Sequence, residues 1–271
     1  MFRPAKYCEN RSLTDEDFRF AIDNYWKYMK LRQYCDVLEI GCGPGKSASE
    51  CVLPLLPKTC QIYVGVDKSP QMVEYANANY SADPRLRFDL MDITTDQPPR
   101  HFLNAFDHIV SFNCFHFVTD HRKALENVYL MTKPGGNIFI SFPAKNAIFD
   151  VYVAMAREEK WAPYLGRCRQ MLTPTQFCED PQADFSDTLK EVGFSSDLCL
   201  VTERTYTVSK AMLLGFIEAV CTFTIPENLL KEFCQDHYRR MKKQYSVWQN
   251  DQGEVYLSFP FIFLVAHAAK V

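Results

Sequence analysis

The stretch that decides the fold is DVLEIGCGPGKSA, residues 36–48. Three of its first five residues are apolar, which suits a buried strand, and the other two are acidic. Glycines then stand at positions 41, 43 and 45, in a chain that has only 10. A strand that ends in alternating glycines is a turn that must bend sharply and let something approach its backbone, because glycine alone has no Cβ to obstruct it. Lys46 follows the last of them, and residues 47–56, SASECVLPLL, read as the next helix, ended or kinked by Pro54.

Outward from this turn, strand and helix patterns alternate. QIYVGV (61–66) reads as a second strand, SPQMVEYANANY (69–80) as a second helix and RLRFDLM (85–91) as a third strand. AFDHIVSF (105–112) is a fourth strand, DHRKALENVYLMT (120–132) its helix, and Pro134-Gly135-Gly136 turns into NIFISF, the fifth. Such alternation with short connections predicts a doubly wound parallel sheet with helices on both faces. Ahead of it, Ser12-Leu13-Thr14-Asp15 reads as a capping box, with Phe18, Ile22, Tyr25 and Met29 on one helical face. After Phe142 the rhythm changes. Residues 143–192 and 209–248 read as helices, forming a cap over the sheet's upper edge. DLCLVTERTYTV (197–208) and EVYLSFPFIFLVAHA (254–268) read as its last two strands, giving seven. The expected layout is one domain: 1–34 an N-terminal helical segment, 35–142 the half that carries the glycine turn, then the interrupted cap.

Bulk composition narrows the function. The chain has 271 residues, 47% hydrophobic, with a formal charge of −3. Without clustered Lys and Arg, nucleic acid is not an expected partner. The RRMKK run at 239–243 suits a helix C-terminus instead. No apolar run is long enough to span a membrane. The N-terminus lacks the apolar core of a signal peptide. The 11 cysteines are odd in number and contain no C-x-x-C. Reduced thiols and a cytoplasmic location are therefore expected, with no metal site. The sequons at Asn10 and Asn79 are read as chance. Nothing in the sequence speaks to oligomeric state.

In open α/β sheets ligands bind beyond the carboxyl ends of the strands. A dinucleotide turn needs a small residue three past Gly43, and that position is Lys46. The spacing present, E-x-G-x-G-x-G from Glu39 to Gly45, resembles the first motif of S-adenosylmethionine-dependent methyltransferases. That resemblance implies a Rossmann-like class I fold with S-adenosylmethionine as cofactor and S-adenosylhomocysteine as product. Asp67, with Lys68 beside it, ends the second strand where a carboxylate accepts both ribose hydroxyls, which either cofactor carries. Met72 is placed to lie against the adenine, or is an ordinary helix-core residue. Asp92 resembles the family's acceptor for the adenine amino group, with Ile93 packing nearby. Residues 111–116, among them Ser111, Asn113 and His116, are expected at the cofactor's reactive end.

Further stretches resemble the insect juvenile hormone acid methyltransferases over nearly the whole chain: FDHIVSFNCFHFVTD, KPGGNIFISF, AIFDVY, KWAPY, EDP and FTIP. The resemblance implies methyl transfer to the carboxylate of a sesquiterpenoid acid, a small-molecule acceptor in an apolar tunnel. Phe115, Phe149, Trp161, Phe216 and Phe223 are candidates to line it. Tyr7 keeps the family's N-terminal tyrosine and is placed at the cofactor. In the family a glutamine seven residues later and a tryptophan after the fourth strand hold the carboxylate; here those positions are Thr14 and Phe117. Thr14 retains a hydroxyl and His116 a ring N–H. Three readings stay open: the sesquiterpenoid-acid enzyme with a rebuilt clamp, a methyltransferase on another small acceptor, and a cofactor- or ligand-binding protein without turnover.

Overall fold

The computed structural model describes residues 3–271. Two helices, α1 (Pro4–Glu9) and α2 (Ser12–Tyr25), precede the sheet. There follow β1 (Asp36–Ile40), β2 (Ile62–Asp67), α3 (Pro70–Tyr80), β3 (Leu86–Leu90), β4 (Phe106–Phe112), α4 (His121–Met131) and β5 (Thr132–Asn146). The rest is α5 (Ala147–Met155), the short α6 (Ala162–Leu165) and α7 (Cys168–Met171), α8 (Pro181–Val192), β6 (Phe194–Ser209), α9 (Lys210–Val220), α10 (Glu227–Gln244), β7 (Ser246–Gln249) and β8 (Val255–Lys270).

The sheet order is β3-β2-β1-β4-β5-β8-β6. The first five strands are parallel, and β8 runs antiparallel between β5 and β6. This is the expected doubly wound, mostly parallel, seven-stranded path. An eighth strand, β7, pairs with the outer half of β8, so the tail of the expected cap becomes sheet. The order reverses at β1, which lies between β2 and β4, and that reversal opens a crevice beyond its C-terminal end.

Alternate residues of each strand feed two cores. Val37, Val110 and Phe139 point toward α2, α5, α9 and α10, while Leu38, Ile109 and Ile138 point toward α4 and α8. The cap has an aromatic core of its own. Tyr152 packs on Phe223 and Phe233, with ring centroids 5.1 and 6.0 Å away.

Four local expectations change. The N-cap of α2 is Arg11 and no side chain caps it: the Thr14 hydroxyl instead donates to the Arg11 carbonyl at 2.7 Å, so no capping box forms. Trp26–Tyr28 continues the chain as a 3-10 turn, leaving Met29 buried beyond it. After the glycines the chain winds as a π-helical stretch, Ser47–Val52, then a 3-10 turn at Pro54; proline's missing N–H prevents a regular helix there. The helix α8 is no part of the cap. Phe185 and Leu189 are fully buried against the α4 face of the sheet. Among the described residues no helix is long and apolar enough to cross a membrane.

If α8 belongs to the sheet's core, Phe185→Ala should cost about 3–5 kcal/mol of stability, the usual penalty for emptying a buried phenylalanine site. Urea denaturation measures it. A loss below about 1 kcal/mol would mean that α8 is only loosely held.

Candidate functional site

The glycine turn is bolted to the neighbouring strand. The N–H groups of Gly41 and Cys42 both donate to the Val66 carbonyl, at 2.8 and 3.1 Å. Gly41 has φ +72°, and a Cβ there would lie 2.2 Å from Cys114 Sγ, so no other residue fits. Gly43, at φ +55°, has open space where a Cβ would be; its bare face looks into a cavity. Gly45 packs instead against Ala76 and Phe88.

Asp67 holds this turn in shape. Its Oδ2 accepts from the Gly43 N–H at 3.0 Å and its Oδ1 from the Ser69 N–H at 2.9 Å. Burial pushes its carboxyl up against the pull of these donors. Glu39 is 1% exposed. It accepts from Tyr63 Oη at 2.9 Å and Ser47 Oγ at 3.1 Å, tying β1 to β2 and to the start of the next helical turn. Burial raises its carboxyl to about 7. Lys46 plays no part inside: it leans toward Glu50, 3.9 Å away, at the surface.

Three cavities meet at Asn113. The largest of the three, about 160 Å³, runs along the sheet's edge past Gly41, Asp67, Lys68, Asp92, Ile93 and Phe117. A second, about 30 Å³, lies against the turn at Gly41, Gly43 and Ser47, with Tyr7 and Arg11 opposite. The third, about 20 Å³, is bounded by Thr14, Asp17, His116, Phe117, Phe149, Phe216 and Tyr206. Asn113 borders all three. Its backbone sits at φ +50°, its Nδ2 donates to the Thr14 carbonyl at 3.2 Å, and its buried Oδ1 has no partner among the described residues.

Several expected residues fall elsewhere. Met72 is wholly buried and borders none of these cavities. Ser111 donates to the Ile40 carbonyl at 2.9 Å, a tie between β4 and β1 rather than a cavity wall. Phe115 turns to the opposite core, among His121, Phe142 and Phe185. Trp161 donates its indole N–H to Asp236 at 3.0 Å and packs on Phe233 inside the cap. Phe223 borders a separate surface cleft with Arg3 and Glu218. Aromatic positions were legible in the sequence, but their directions were not.

Other wall residues were not expected. Asp17, fully buried, accepts from Arg204 Nη1 at 2.8 Å and from the Tyr206 hydroxyl. Its carboxyl is raised to about 7, chiefly by burial. The pairing of β6 with β8 brings Arg204 and Tyr206 to it. The His116 ring, expected at the reactive end, packs at a tilt against Phe117 and Phe149, centroids 4.1 and 5.9 Å away. Burial holds it down to about 3, so it is neutral at pH 7, and its Nδ1 has no partner among the described residues.

Residues 38–138 match the family model of a methyltransferase domain. The whole chain is 28% identical to the juvenile hormone acid O-methyltransferase of Drosophila melanogaster, covering 93% of that protein. Against the enzyme of the same name from Bombyx mori it is 26% identical over 98% of this chain and 96% of the other. The chain is an S-adenosylmethionine-dependent methyltransferase resembling these enzymes. Its fold also matches the crystal structure of the YcgJ protein of Bacillus subtilis, with a TM-score of 0.59 at 18% identity, covering 94% of this chain and 98% of that one. The methyltransferase site fits its cofactor on two counts: the open face of Gly43 admits a ligand, and the orphaned Asn113 Oδ1 awaits a donor.

The buried acids give this methyltransferase a pH signature. Glu39 rises from an ordinary 4.5 to about 7 on folding, and Asp17 from 3.8 to about 7. The folded state holds these protons more tightly, so the stability they contribute is complete below the unfolded values and is lost as pH rises through about 7. The melting temperature of the ligand-free protein should fall between about pH 5 and pH 8, and Glu39→Gln should flatten the slope. Parallel slopes in thermal denaturation of the two proteins would contradict this.

Proposed function

We propose that the protein transfers the methyl group of S-adenosylmethionine to the carboxylate of a small apolar acid. The observation that carries this is the meeting of three cavities at Asn113: a glycine cradle on one side and an aromatic chamber with a neutral histidine on the other. On this reading Asp92 and Ile93 face the adenine, Asp67 and Lys68 the ribose, and Gly41 and Gly43 the methionine portion, with Tyr7 closing over it. Met72 and Ser111 support these residues from behind, as Glu39 and Gly45 do.

The bound cofactor supplies an electrophilic methyl group on a sulfonium. The chain needs no general base, because a carboxylic acid is already ionised at neutral pH. Its work is to align the acceptor oxygen with the methyl group and to exclude water. Phe117, Phe149 and Phe216 supply the dry wall, and the N–H of neutral His116 is the donor for the acceptor carboxylate.

A second reading has its own support. The Thr14 hydroxyl already donates to the Arg11 carbonyl, and Phe117 has no donor. A carboxylate brought from water into this chamber must recover its hydrogen bonds, and each one missing costs about 1.5–3 kcal/mol. A different small acid, or a neutral acceptor, suits such a chamber better than a long sesquiterpenoid acid.

Turnover with methyl-labelled cofactor, across farnesoic acid, shorter fatty acids and neutral alcohols, separates the two. Fastest transfer to an apolar acid supports the first reading; transfer only to neutral acceptors refutes it. The missing donors make a sharper forecast. Thr14→Gln with Phe117→Trp should raise kcat/KM on farnesoic acid by more than the product of the single changes, because both donors hold one carboxylate. Wild-type turnover equal to that of the double variant would mean that His116 already completes the clamp.

The cofactor contacts have a separate check. Asp67→Ala should weaken S-adenosylhomocysteine by about 1.5–3 kcal/mol, and Gly43→Val by at least as much, since its side chain enters the ligand's space. Unchanged affinity of both folded variants in calorimetry would refute the placement.

A further inference from the structure

Arg11 lies outside the motifs that point to the cofactor, yet it is only 6% exposed. The short helix α1 folds back over α3 and α9 and leaves this side chain at the mouth of the turn cavity. Its Nε and Nη2 both go to a single oxygen, Asp15 Oδ1, at 2.7 and 2.6 Å. Its Nη1 has no partner among the described residues. The guanidinium is therefore buried with one edge of its fork unused. Among the described residues that border this cavity, Arg11 is the one charged group: no carboxylate faces it there. Asn113 also borders this cavity; its buried Oδ1 has no partner among the described residues, and its Nδ2 is held by the Thr14 carbonyl. A buried cation and an unused acceptor, both on residues that line one cavity with a bare glycine backbone, are the complement of a zwitterion.

We propose that Arg11 and Asn113 recognise the α-amino acid end of the cofactor, Arg11 taking the carboxylate through its free edge and Asn113 Oδ1 taking the ammonium. The proposal rests on the cofactor reading above. It follows from charge and shape: a planar fork matches a carboxylate in a way that an ammonium side chain does not. Asp15 does not compete for the same edge, and with its side chain 35% exposed it remains in reach of water.

The test is calorimetry with two ligands that share the thioadenosine portion, S-adenosylhomocysteine and 5′-methylthioadenosine, which lacks the amino acid end. Arg11→Gln should weaken S-adenosylhomocysteine about ten- to a hundredfold and leave methylthioadenosine within about twofold. Arg11→Lys, which keeps the charge but not the fork, should give the same selectivity with a smaller loss, and it carries the comparison alone if the glutamine variant does not fold. Equal loss of both ligands would make Arg11 a scaffold residue, and unchanged binding of S-adenosylhomocysteine would remove it from the site; either overturns the proposal. Wild-type protein that binds neither ligand would overturn the cofactor reading itself.

Discussion

The turn at Gly41 depends on one carbonyl. Val66 O, at the end of β2, receives the N–H groups of both Gly41 and Cys42, so the chain leaves β1 and reverses while still attached to its neighbour. That pair of hydrogen bonds accompanies the positive φ at Gly41, and the Cys114 side chain packed behind it leaves no room for a Cβ. Once the turn is set, Asp67 can reach Gly43, Glu39 can reach Ser47, and Asn113 from the next strand can stand at the junction of the cavities. The site is thus assembled from the ends of β1, β2 and β4, where the sheet order reverses, and from little else.

What the cap adds is enclosure. The sheet alone leaves its crevice open to water along the C-terminal ends of its strands. The long strands β6 and β8 carry the sheet upward beyond β1, and α2, α5 and α9 close against that extension. Tyr206 reaches the chamber wall, and Arg204 reaches Asp17, because β6 is 16 residues long. The cost is a buried carboxylate, Asp17, which needs both of them to be tolerated. The chamber's shape and its buried ion pair therefore have one origin.

The sequence was most legible where backbone conformation constrains residue type. Three glycines after an acid can mean few things, and alternating strands and helices allow few topologies. It was least legible where direction matters. Phe115 and Phe117 are two residues apart in one 3-10 turn, but one enters the deep core and the other the chamber wall. Trp161 looked available for a ligand until its indole found Asp236, a partner 75 residues away. Arg11 carries no motif at all. Its burial results from α1 folding back, a tertiary event that no local pattern announces.

The chamber's electrostatics bear on which reaction it favours. Neutral His116, apolar Phe117, Phe149 and Phe216, and an Asp17 already matched by Arg204 leave almost no uncompensated charge in its walls. A sulfonium at the turn is then opposed chiefly by whatever acceptor enters. In such surroundings opposite charges attract far more strongly than in water, which draws an anionic acceptor toward the methyl group. Transfer turns the cation and the anion into two neutral products, so charge diminishes along the reaction and a dry wall resists the transition state less than the separated ions. A neutral acceptor gains neither advantage: it must shed a proton, and Asp17, the carboxylate among the described wall residues, is already bonded to Arg204 and Tyr206. The donors lost at positions 14 and 117 weaken the grip on a carboxylate, while the low polarity of the chamber favours its reaction. On the carboxylate reading proposed above, that balance leaves the grip on the acceptor to His116.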